Sequence, residues 1–138
     1  MKLYERLLIS GVVASTLGSA RFAAAQDPII LYPTHYKVVM EDDRVRVLEF
    51  RLPKAEKEFA HSHPESIIVY LTDVNLELTL PGGAKQTRVA KAGQVVHADP
   101  MSFDVYNNGD AEARGVIVEL KTPPVASTPT PPQNRFPR

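Results

Sequence analysis

The sequence predicts an all-β domain folded as a closed jelly-roll barrel, and three observations lead to that class. Apolar and polar residues alternate over short runs, the period of strands and not of helices. Turn residues separate those runs at regular intervals, as at Pro81-Gly82-Gly83, Asp99-Pro100 and Asn107-Asn108-Gly109-Asp110. With eight or so short strands and no convincing internal helix, an open sheet would leave its edges unprotected, and closure removes them.

The runs follow in order. Tyr36 to Met40 is the first. Val45 to Leu52 (VRVLEFRL) is the second, and its face formed by Arg46, Leu48, Phe50 and Leu52 is the better candidate for the core. Ser66 to Thr72 (SIIVYLT) is nearly continuous in its apolar residues, as expected of a strand covered on both sides. Asn75 to Leu80 and Ala84 to Ala90 flank Pro81-Gly82-Gly83, whose glycines supply the positive φ of a tight hairpin turn. Gln94 to His97, Ser102 to Tyr106 and Ala113 to Leu120 complete the domain.

The ends differ in kind from this middle. Lys2 and Arg6 precede an apolar, small-residue stretch from Leu7 to Ala20, too short to span a bilayer comfortably, and Ala23-Ala24-Ala25 offers a signal-peptidase site. Residues 1–25 are therefore expected to be an export signal, placing the protein in a periplasm or outside the cell with no membrane span after processing. Residues 26–34 form an N-terminal extension and 35–121 the barrel. Residues 122–138 hold six of the chain's 12 prolines with almost no apolar content, which predicts a disordered tail.

Composition excludes several functions. There is no cysteine, so thiol catalysis, cysteine-ligated zinc and disulfides are absent by inventory. Lys and Arg number 16 and so do Asp and Glu, which gives no electrostatic reason to expect nucleic acid. No Gly-rich nucleotide motif is present, and no nucleotide cofactor is expected.

The sharpest chemical feature is His61-Ser62-His63. On a strand, residues two apart point to one side, so both imidazoles would enter one space, as two ligands of one metal ion must. The same residues also fit a solvated pair in a loop before Pro64. Glu65 would share the face of His63 if the strand ran unbroken, and His97 could reach inward from an opposing wall. A site of His61, His63 and either of these would suit Zn, Fe, Mn, Cu or Ni. Tyr70 and Phe103 are expected to line the pocket, with the Tyr70 hydroxyl at its edge. His35 is expected to be exposed, Asp99 to serve its turn, and Arg44 and Arg46 to form surface ion pairs in a turn with Glu41, Asp42 and Asp43.

A histidine pair entering a buried strand, then a Pro-Gly hairpin, then a Gly93-led strand with a turn at Pro100 and Asn107, resembles the two-motif pattern of cupins. The resemblance covers about Tyr36 to Lys121. EDDRVRVLEF, AHSHPESIIVYL and KAGQVVHADP are most similar to small single-domain cupins labelled for β-alanine degradation or simply as cupin-domain proteins. It implies a cupin-type barrel, a divalent metal, a small-molecule ligand and a homodimer paired through the outer sheet. The pattern also departs from the family: Ile68 and Phe103 stand where a glutamate and a third histidine ligand are expected, and Asp73 where the first motif ends in glycine. Two functions follow. One is a metal-dependent enzyme acting on a small molecule in the barrel, its catalytic residues unassigned. The other is a non-catalytic binding or structural module whose metal site has decayed.

Overall fold

A computed structural model describes residues 26–122 of the chain. The expected export segment and all but the first residue of the expected proline-rich tail lie outside the described residues. Within them a short helix, α1 (Pro28–Leu31), precedes nine strands: β1 (Tyr36–Glu41), β2 (Val45–Leu52), β3 (Lys57–His63), β4 (Ser66–Tyr70), β5 (Val74–Thr79), β6 (Lys85–Ala90), β7 (Val95–Ala98), β8 (Met101–Asn107) and β9 (Ala113–Leu120). A five-stranded sheet runs β1-β2-β9-β4-β7 and a four-stranded sheet β3-β8-β5-β6, with every pairing antiparallel. Among the described residues no helix is long and apolar enough to cross a membrane.

Alternation in sequence becomes alternation in burial. In β9, Ala113, Gly115, Ile117 and Glu119 are buried, while the residues between them are more open. In β5, Val74, Leu76 and Leu78 point inward. These meet Leu48 and Leu52 of β2 and Ile68 and Tyr70 of β4 in the space between the sheets. Burying such aliphatic side chains at roughly 1.5–3 kcal/mol each supplies the main favourable term for the fold.

The β5–β6 hairpin closes at Gly82 and Gly83, both at φ +91°, a conformation that L side chains rarely adopt. Asn107 holds the last turn. Its amide donates to the carbonyls of Leu52 (2.9 Å) and Ala111 (2.8 Å), while its side-chain oxygen accepts from the Gly109 amide (2.9 Å).

Eight of the nine strands follow the runs read from the sequence. The ninth, β3, has no such run because its pattern is irregular: the β3–β8 register shifts between Glu58 and His61. That β-bulge places Glu58, His61 and His63 inward together and leaves Phe59 65% exposed, where strict alternation would have buried Phe59 and exposed Glu58. At Pro64 and Glu65 the chain leaves the four-stranded sheet and enters β4 of the other, so the histidine pair sits at the crossing between sheets.

Candidate functional site: a buried histidine pair beside an apolar cavity

His61 and His63 share one space inside the barrel. Their ring centroids are 5.2 Å apart with planes at 84°. His61 is fully buried and His63 is 9% exposed. Each ring is oriented through Nδ1, His61 by the Phe59 carbonyl (3.1 Å) and His63 by the Glu119 carboxylate (2.7 Å). The Phe59 carbonyl can only accept, so the neutral His61 ring donates from Nδ1 and keeps Nε2 as its acceptor.

Two buried carboxylates extend the cluster. Glu58 accepts from the Tyr36 hydroxyl (2.8 Å) and lies 2.7 Å from Nδ1 of His35, whose Nε2 is 3.1 Å from Glu56. The Tyr36 hydroxyl is also 3.4 Å from Nε2 of His61. Burial pushes the Glu58 carboxyl upward despite the hydrogen bonds from Tyr36 and His35, and pushes the Tyr36 phenol well above its ordinary value, an effect that Glu58 reinforces. Burial acts the same way on Glu119, but there hydrogen bonds from His63 and from Arg46 (2.6 Å) outweigh it and hold the carboxyl below its usual range. Arg46 continues to Asp27 (2.7 Å), whose other oxygen caps α1 by accepting from the Ile29 amide (3.0 Å). A chain of polar contacts thus runs from the N-terminal segment through Arg46 and Glu119 to His63.

Two expectations change here. His35 is not exposed: its side chain is 15% accessible because Glu58 draws it in. Arg46 is not in a solvated turn, since it stands on the inward face of β2 opposite Glu119 and is bound by two carboxylates. Glu58, Glu119 and Tyr36 had no place in the sequence reading of the site. For Glu119 the signal was present, an acid at an inward position of an alternating strand; for Glu58 the bulge concealed it.

His97 and Glu65 do not join the pair. His97 lies opposite Ile67 in the β4–β7 ladder, and Ile68, the residue facing inward, lies opposite Val96, so alternation turns His97 outward. There it meets Glu65 at 2.9 Å, with both side chains about half exposed. Phe103 occupies the space beside the histidines, its ring centroid 4.9 Å from that of His61 and 6.0 Å from that of His63. Among the described residues no group of three His, Asp or Glu side chains is placed to hold a metal ion. Two nitrogens beside a phenyl ring do not fit the complete donor set expected of a metal centre. Protein purified without a histidine tag is accordingly expected to carry far less than one equivalent of metal by elemental analysis, and His97→Ala to leave that value unchanged.

Next to the pair lies a narrow cavity of about 50 Å³ with mostly apolar walls, including Phe50, Ile68, Leu78, Val105 and Ile117. His63 and Tyr36 line it on one side, Tyr70 and Phe103 also line it, and Ile68 and Phe103 present apolar surface there. Asp99, besides its turn, stands at the rim.

Burial pushes the His61 imidazole down to about 4 from its ordinary 6.5, so the folded state favours the neutral ring. A depressed histidine gives stability that is complete above the unfolded value and is lost as pH falls from 6.5 toward 4. The full loss is about 3 kcal/mol. Urea denaturation at pH 7.5 and 4.5 should show most of this fall in the wild type and a much smaller one in His61→Phe.

No family model matches the chain, and no curated protein matches it. Solved structures do. A cupin domain from Bordetella pertussis is similar at 27% identity with a TM-score of 0.58, over 63% of this chain and 92% of that one. A conserved protein with a double-stranded β-helix domain from Klebsiella pneumoniae is similar at 19% identity with a TM-score of 0.51, over 62% of this chain and 74% of that one. These likenesses concern the fold and say nothing of β-alanine degradation. Two antiparallel sheets closed around an apolar interior, in the same architecture as these proteins, establish that this chain is a cupin-fold barrel.

Proposed function

We propose that this protein is an exported cupin that binds a small, mostly apolar molecule in its barrel, with His63 as the polar contact at one end. The observation that carries this reading is the placement of His63: it lines the cavity while its Nδ1 is committed to a buried carboxylate, so its Nε2 is oriented and the ring cannot rotate freely. A few oriented polar groups on an apolar wall are what a small-molecule pocket requires. The apolar residues Ile68 and Phe103 favour binding over metal-dependent chemistry.

Ligand-observed NMR with a set of small apolar fragments tests the reading. Binding to the wild type is expected, with loss in Ala98→Phe, which narrows the cavity where Ala98 lines it. If no fragment binds at millimolar concentration, or if binding survives the block, the reading is wrong. Export is supported by the Leu7–Ala20 stretch and the Ala23-Ala24-Ala25 site, and is checked by the N-terminal residue of the protein recovered from the producing cell. A homodimer is supported by the edge strand β1, where Val38, Val39 and Met40 are exposed, and light scattering measures it.

A further inference from the structure

The interior charges of the barrel are matched, with one exception. Arg46 has Asp27 and Glu119, Glu119 has His63 and Arg46, and Glu58 has Tyr36 and His35. Arg88 is different. It stands opposite Leu76 in the β5–β6 ladder, on the inward, half-buried face of β6, and it lines the same cavity as His63. Among the described residues it has no ion-pair partner. Its guanidinium sits beside the Tyr70 hydroxyl, whose phenol burial raises and Arg88 pulls back toward its ordinary value. A neutral hydroxyl does not offset the charge of a guanidinium drawn partly out of water.

The other charged residue on the wall, Asp99, lies at the opposite end. Met101, two residues beyond it, pairs with His63, whereas Asn107 pairs with Leu76 and so stands level with Arg88. Six residues of β8 separate the two levels, roughly 20 Å of strand. Arg88 is therefore, among the described residues, the charged side chain at its end of a mostly apolar passage.

Resting on the small-molecule reading above, we propose that the ligand is a short organic monoanion, a carboxylate on a slim apolar body, with its carboxylate on Arg88, its body against Leu76, Leu78 and Val105, and its far end directed along the passage toward His63. A planar guanidinium matches a carboxylate with two parallel hydrogen bonds. One unmatched cation balances one negative charge, which disfavours a phosphate carrying two. The narrow bore selects a thin chain over a bulky ring system.

The test compares butyrate and hexanoate with butyramide and hexanamide at pH 7.5, by ligand-observed NMR titration against wild type, Arg88→Gln and Arg88→Lys. The wild type is expected to bind each acid at least tenfold more tightly than its amide. Arg88→Gln should abolish that preference by weakening the acids far more than the amides, and Arg88→Lys should retain part of it. Equal affinity of acid and amide in the wild type overturns the proposal, as does an undiminished preference in Arg88→Gln. The wild-type comparison stands even if Arg88→Gln fails to fold. Apolar fragments that bind while the acids do not would end this inference alone, whereas a barrel that binds none of these molecules would end the small-molecule reading with it.

Discussion

Glu119→Ala is expected to destabilise the barrel by about 3–5 kcal/mol, the cost of removing one member of a buried charged network and leaving the others uncompensated. Glu119 is 2% exposed and accepts from two donors at once, His63 at 2.7 Å and Arg46 at 2.6 Å. Without it the His63 ring loses the contact that fixes its orientation, and Arg46 is left with Asp27 alone, at the margin of the barrel. For a domain of this size the change corresponds to a fall of roughly 12 °C or more in Tm. Glu119→Gln separates charge from shape. Its amide oxygen can still accept from His63, but its NH2 group then faces the Arg46 Nε–H, donor against donor, for an expected loss of about 1–3 kcal/mol. Chemical denaturation of the three proteins at pH 7 measures both values. A loss under about 1 kcal/mol for Glu119→Ala would mean that the network orders the site without holding the fold.

The same network has a pH signature of the same direction as that of His61 but at lower pH. Glu119 and Asp27 have folded-state values below their unfolded ones, so their contribution is present above the unfolded carboxylate range and lost only as pH falls below it. The His61 loss begins earlier, below pH 6.5. Folding stability should therefore fall in two successive steps as pH is lowered, and Glu119→Gln should blunt the second.

How far the site could be read from sequence depends on the regularity of each strand. Arg46 falls on the same face as Leu48, Phe50 and Leu52, and alternation puts it there correctly, although its neighbours Asp42 and Asp43 suggest a surface role. Its actual partners, Asp27 and Glu119, are 19 and 73 residues away in the chain, and no local pattern links them. The His61-Ser62-His63 spacing does carry through to two rings in one space, because β3 is regular from His61 to His63. Between Glu58 and His61 the bulge breaks the period, and Glu58 is lost to any reading by alternation. His97 shows the converse. Its type suggested a ligand, and only the pairing of Ile67 with His97 shows that it faces out. Residue type suggests chemistry, but register decides which side of the wall it reaches.

Gly115→Ala is the second large effect, and it arises from a residue whose importance lies in having no side chain. Gly115 sits in the middle of β9, opposite Phe50 on one side and Tyr70 on the other. A Cβ built there would collide with the Phe50 ring, reaching Cζ at 2.8 Å, and would come within 2.7 Å of the Val69 carbonyl oxygen. Phe50 has little freedom to move aside, because its ring packs edge-on against Tyr70 and forms part of the cavity wall. Nor can the Val69 carbonyl retreat without disturbing the β4–β9 ladder. The expected cost is about 3 kcal/mol, at the upper end of what inserting one carbon into a packed core brings. Glycine inside a strand signals close approach of a neighbour, which the sequence does show, but the neighbour itself is set by strands 65 and 46 residues away. Phe50→Leu in the same chain tests the explanation. It should remove the ring collision and leave the carbonyl one, so the double variant should be more stable than the sum of the single losses by about 1 kcal/mol or more. Simple additivity would assign the whole cost to the Val69 carbonyl, and the cavity wall formed by Phe50 would then be unaffected in Gly115→Ala.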